Sequence, residues 1–138
     1  MRHWAGMVCI VSMVAAPSAR ADMMPARDRG PPSGSAGGLH FSIQPAREKM
    51  PTGYYKSVSV VILDGCTTGQ PNCILARSKN LVGMEVESVD GQYLRPENGM
   101  VREILDAFAS KAGPATVTLA LRSAAPDSGT IQVAFARR

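Results

Sequence analysis

Histidine and cysteine are scarce: the 138 residues hold two histidines and three cysteines, and His3 and Cys9 fall in the first few residues. Nucleophilic catalysis needs a base beside a serine or cysteine. One internal imidazole, His40, and two internal thiols, Cys66 and Cys73, assemble neither a Ser-His-Asp nor a Cys-His set. No carboxylate pair stands at metal-ligand spacing, and no G-x-x-x-x-G-K-[ST] phosphate loop is present. Glu85 and Glu87 alternate onto one face of a strand, whereas glycosidase carboxylates flank a cleft from separate elements; the two are expected on a solvated face. The sequence therefore predicts no enzyme, no cofactor and no metal site, and 14.6 kDa limits it to one modest domain.

Long apolar runs are also missing. Trp4 to Val14 is the one uncharged apolar stretch, about half of the roughly 20 residues that a membrane helix needs. It follows the basic start Met1-Arg2-His3 and precedes Ala19-Arg20-Ala21, small residues at the two positions a signal peptidase reads. Residues 1–21 are expected to be a secretory signal, with no membrane span elsewhere; Cys9, preceded by Val8, does not suit lipidation. Without Arg2 and Arg20 the chain keeps 13 basic against 11 acidic side chains, a balance of +2 that is too small to imply nucleic acid. In an oxidising compartment Cys66 and Cys73 are an even pair, expected to form a disulfide worth about 2.5 kcal/mol by loop-closure entropy. The competing reading, a metal held by the two thiols, lacks further ligands.

Residues 22–37 hold three prolines, three glycines and several charges without an apolar period, and are expected to be a flexible leader. From Gly38 onward Leu39, Phe41 and Ile43 alternate with polar residues, a half-buried strand closed by Pro45, and a polar loop follows through Lys56. Residues 57–63 are a β-branched strand ending at Asp64-Gly65. A short helix is expected around Ile74 and Leu75, a strand over 83–89, and a tight turn at Asp90-Gly91 followed by a short pairing segment at Tyr93 and Leu94. The best helix spans 97–112, with Val101, Ile104, Leu105 and Phe108 on one face. Val117, Leu119 and Leu121, then Ile131, Val133 and Phe135, alternate as a terminal hairpin. The order describes an α+β domain: a small, partly open, five- to six-stranded barrel or sandwich capped by one long and one short helix.

These segments in this order resemble a PDZ domain, over about residues 38–136. Gly38-Leu39-His40-Phe41-Ser42-Ile43 is similar to that family's glycine-leucine-glycine-phenylalanine loop and the strand after it. Gly83 to Gly91 is similar to its apolar strand ending in valine, an acid or amide, and glycine. The helix near Glu97 and the closing hairpin fit the rest. His40 stands where the loop's second glycine is usual, and Met84 where an aspartate is usual.

The resemblance implies a free-standing exported module, residues 38–138, that captures the C-terminus or an exposed strand of an envelope or secreted protein. Amides around Leu39, His40 and Phe41 would hold a terminal carboxylate, and Ser42 and Ile43 would begin the pairing edge. Glu97, Val101 and Ile104 would line the groove from the helix. The same apolar residues would also serve as core in any small α+β domain. A different class of role, a structural or inhibitory subunit that uses its sheet edge for permanent assembly, fits the same order. The decisive expectation is a vacant sheet margin between residues 39–43 and the helix; a margin already filled by the chain's own backbone would remove a recognition role at an open groove.

Overall fold

The computed structural model describes residues 27–123 and 129–137; the expected signal at 1–21 lies outside them. Seven antiparallel strands form one sheet, with β1 Ser33–Ala36, β2 Leu39–Lys49, β3 Tyr55–Cys66, β4 Glu85–Val89, β5 Gln92–Tyr93, β6 Thr116–Arg122 and β7 Thr130–Ala136. The spatial order is β1-β2-β3-β4-β6-β7, and β5 pairs with β4. Among the described residues two α-helices, α1 (Pro71–Ser78) and α2 (Met100–Ala109), complete the α+β fold.

The core follows the alternation of the strands. Leu39, Phe41, Val61, Leu63, Val86, Val117, Leu119, Leu121 and Phe135 are buried together with Val101, Ile104 and Phe108 of α2. Each such side chain contributes about 1.5–3 kcal/mol relative to exposure. The rings of Phe41 and Phe108 stand 6.5 Å apart at 40°, fixing α2 over β2. Asp90 and Gly91, both at positive φ, form the expected tight turn. The Asp90 carboxylate accepts the Thr118 amide at 2.9 Å, tying that turn to β6.

Several elements differ from the sequence expectation. Residues 33–36 are strand rather than flexible leader: the segment Ser-Gly-Ser-Ala has no apolar period, and its conformation is imposed by pairing with β2. Strand β2 continues through Pro45 instead of closing there. The Ile43 amide points away from β3, to Pro32 O at 2.8 Å, and the residue two further on points the same way. Pro45 thus sits where its missing N–H faces an unpaired edge. The expected polar loop is instead a two-stranded ribbon, Gln44 to Lys49 against Tyr55 to Val60, turning at Met50 and Gly53. Tyr54 and Tyr55 are exposed on it, and Arg47 lies 5.3 Å from the Tyr55 ring centroid. Helix α2 begins at Met100, not at Glu97. Pro96–Asn98 form a separate 3-10 turn, and Gly99 at φ 84 breaks it from the helix.

Candidate functional site

Residues 39–43 do border α2, but the space between them is filled. Strand β1 runs antiparallel to β2 on the side facing α2, with Ser33 opposite Ser42, Gly34 opposite Phe41, Ser35 opposite His40 and Ala36 opposite Leu39. On its other side β2 pairs with β3. The expected vacancy is corrected accordingly: the chain's own backbone occupies the margin where a ligand strand was expected to lie.

The fit of β1 is set by small residues. A Cβ on Gly34 would lie 2.8 Å from Leu105 Cδ1 and 3.2 Å from Val101 Cγ1, so α2 approaches the strand as closely as its backbone permits. Ala36 packs against the core. Gly37 and Gly38, at φ 60 and 81, turn the chain directly from β1 into β2. The segment resembling a carboxylate-receiving loop is therefore the second half of a tight hairpin.

A strap ahead of β1 holds it at the other end. The Asp28 carboxylate accepts the Gly30 amide at 2.9 Å and the Met100 amide at 2.7 Å. Helix α2 has no capping side chain of its own at Gly99, so Asp28 supplies the acceptor and places negative charge at the positive end of the helix. Arg29 N donates to Pro96 O at 2.9 Å.

The residues expected in the site divide. Leu39, Phe41, Val101 and Ile104 are buried, and Val101 meets β1 directly. Ser42 and Ile43 are half-buried, and Ile43 is engaged by Pro32. Glu97 is exposed on the 3-10 turn, off the helix. His40 is half-buried with a hydroxyl at each ring nitrogen: Ser35 Oγ bonds Nδ1, and Thr67 Oγ1 lies 3.3 Å from Nε2. Among the described residues no group of three histidine, cysteine or acidic side chains could hold a metal.

Three contributors were not among the residues expected in the site. Leu105 is the closest side chain of α2 to Gly34, although only its apolar helical phase was visible. Asp28 lay in the presumed leader. Asn72, 5% exposed at the start of α1, is the third. Its Nδ2 donates to Gly37 O at 2.8 Å and Ala136 O at 2.7 Å, and its Oδ1 accepts the Ala136 amide at 2.8 Å. One carboxamide thus joins the β1–β2 turn to the end of β7. No signal short of the fold marks it, since its partners are 35 and 64 residues away in sequence.

Cys66 and Cys73 lie at bonding distance, 2.00 Å between sulfurs and 5.2 Å between Cα atoms, and join the end of β3 to α1. Among the described residues strand β7 pairs with β6 alone. Because Arg137 N bonds Ala115 O while Ala136 turns its backbone to Asn72, the alternate residues Thr130, Gln132 and Ala134 direct their backbone groups outward. On the sheet, burial raises the Glu85 carboxyl above the usual range; Arg122 works against the rise, and Glu87 and Glu48 add to it. Glu87 also accepts the Thr130 hydroxyl and lies 3.9 Å from Arg122. Among the described residues no helix is long and apolar enough to cross a membrane.

No protein-family model, no curated protein and no solved structure matches this chain.

Proposed function

We propose that the chain is a non-catalytic, exported module that takes up an extended segment of an envelope or secreted protein by strand addition, in the groove between β2 and α2. The margin is filled in the structure, so the reading requires β1 to leave it; what supports the reading is that the space between β2 and α2 has the dimensions of a strand. Residues 33–36 lie antiparallel to β2 against Val101 and Leu105, in the place and direction expected of a ligand in the PDZ domains that the sequence resembles. A partner segment would replace β1 there, gaining backbone pairing from β2 and side-chain selection from α2. A cysteine pair at bonding distance is compatible with an oxidising compartment, and the proposed export signal is residues 1–21.

The test is selection of extended peptides, with free and blocked C-termini, on the immobilised protein, followed by amide exchange on each complex. Binding that alters the Ile43 amide supports the groove; a library that yields no binder overturns the reading.

A second reading, a structural subunit that assembles through a sheet edge, is favoured by β7. Residues 130–136 carry no charge and no proline, the usual guards of an exposed edge, and Thr130, Gln132 and Ala134 have outward backbone groups. Ala134→Lys should abolish such assembly and leave groove binding intact, by size-exclusion chromatography and the peptide assay together.

A further inference from the structure

We infer that the β2–α2 groove takes an internal strand built from small residues rather than a free carboxy terminus, and that β1 is a resident copy of that ligand which holds the groove shut until it is exchanged. The inference rests on the strand-addition reading and specifies its ligand and its regulation.

The ligand class follows from space. At the position of Gly34 a Cβ would sit 2.8 Å from Leu105 Cδ1, closer than real Cβ contacts allow, so the groove rejects a larger side chain there unless α2 moves. Two residues on, the side chain that meets the core is that of Ala36. Ser33 and Ser35 alternate to the other side, where Ser35 bonds His40. A suitable segment is therefore extended, with glycine at the Leu105 contact, a residue of alanine size two positions later, and a hydroxyl between them facing His40.

The preference for an internal strand follows from connectivity. Beyond Ala36 the chain passes straight through Gly37 and Gly38 into β2, and the carbonyls of both glycines are engaged, Gly37 O by Asn72 and Gly38 O by the Thr67 amide. Both ring nitrogens of His40 have hydroxyl partners. The resident occupant of the groove is thus an internal strand that continues past the turn, not a terminus.

That β1 can be exchanged follows from its composition and anchorage. It has four residues, none β-branched or aromatic, and it meets α2 through a glycine backbone. Its hold comes from pairing with β2, the Ser35–His40 bond, Ala36 against the core and the Asp28 contacts at the far end, together with the tether, which supplies an effective concentration of about millimolar order. If the open state is populated at about 1%, free ligand binds about 100-fold more weakly than to an open groove. Ejecting β1 restores that factor.

The experiment uses the whole protein and a fluorescein-labelled peptide of residues 28–37, measured by anisotropy, with Gly34→Leu to eject the resident strand. Gly34→Leu should bind the peptide at least ten-fold more tightly than the unmodified protein does. Amidation of the peptide C-terminus should change nothing, and the Gly-to-Leu change within the peptide should abolish binding. Amide exchange on the unmodified protein supplies a measurement independent of the variant's folding. The Ile43 amide, which donates to Pro32 O, should exchange faster than the Leu63 amide, which donates to Met84 O in the centre of the sheet. Equal exchange at the two overturns the inference, because β1 would then open only with global unfolding. A folded Gly34→Leu protein that ignores the peptide overturns it as well, as does a ten-fold preference for the free acid. Should selected peptides alter the Ile43 amide but require a large side chain at the Leu105 contact or a free carboxylate, this inference falls while strand addition in the groove stands; binding that leaves Ile43 untouched overturns both.

Discussion

Replacing Asn72 tests whether one buried carboxamide closes the fold. The side chain makes three hydrogen bonds of 2.7–2.8 Å, to Gly37 O and to both backbone groups of Ala136. A neutral hydrogen bond contributes about 0.5–1.5 kcal/mol net, and a buried backbone group left unpaired costs about 1–3 kcal/mol. Asn72→Ala leaves three such groups without their partner. The adjoining cavity of about 220 Å³, lined by Gly37, Gly38, Thr67, Gln70 and Pro71, gives water a route to some of them, which moderates the penalty. The expected loss is about 2–4 kcal/mol, a large fraction of the roughly 5–15 kcal/mol typical of a domain. Urea unfolding followed by far-UV circular dichroism measures it.

Asn72→Asp separates polarity from shape. The aspartate is isosteric but places an oxygen where Nδ2 donates to two carbonyls, and burial together with that repulsion raises its carboxyl above the ordinary value of about 3.9. A folded-state value above the unfolded one supports the fold at pH below the unfolded value and withdraws that support as pH rises. Asn72→Asp should therefore be weaker at pH 7 than at pH 4, relative to the unmodified protein at each pH. A loss below about 0.5 kcal/mol for Asn72→Ala, or an aspartate variant as stable as the parent at pH 7, refutes the reasoning, since either leaves the three backbone groups satisfied without the amide.

Asp28→Ala should cost about 1–2 kcal/mol in urea unfolding, because it strips the cap from α2, and should hasten exchange of the Ile43 amide; Asp28→Asn should keep most of the stability. Cys66→Ser combined with Cys73→Ser should cost about 2–3 kcal/mol, and dithiothreitol on the unmodified protein should reproduce the loss; identical urea midpoints with and without reductant would contradict the pairing. For Glu85, whose carboxyl is raised by burial, the associated stability is complete at low pH and declines as pH climbs through the raised value. Glu85→Gln should accordingly raise the urea midpoint at pH 7, with the gain shrinking toward pH 4; a gain independent of pH would point to packing instead.

What the sequence made legible was whatever rests on local period. The alternation of Val117, Leu119 and Leu121 against Ile131, Val133 and Phe135 became the β6–β7 pair, with Leu119 opposite Val133. The helical phase of Val101, Ile104 and Phe108 became the buried face of α2. The nearness of residues 39–43 to α2 was not legible from period and was expected only from the family resemblance. What was hidden depends on partners distant in the chain. A Ser-Gly-Ser-Ala segment carries no strand signal of its own, because its value lies in the bulk it lacks at Val101 and Leu105. Asp28 caps a helix 72 residues away, a relation that no capping box within the helix could announce. Pro45 appeared to stop a strand because a sequence does not reveal which edge its missing donor faces.

The same distant contacts tie the two candidate surfaces together. Asn72 holds Gly37, where β1 ends, and Ala136, where β7 ends, with one amide group. If β1 leaves the groove and its turn relaxes, the bond to Gly37 is released while the pair to Ala136 can persist. Exchange of the resident strand then costs one of the three bonds and leaves the close of β7 in place. If β7 is drawn away at Ala136 by a pairing partner, the amide loses two bonds and its hold on Gly37 loses the rigid backing that aims it. The asymmetry runs one way: displacement in the groove spares the far edge, whereas disturbance at the far edge weakens the groove.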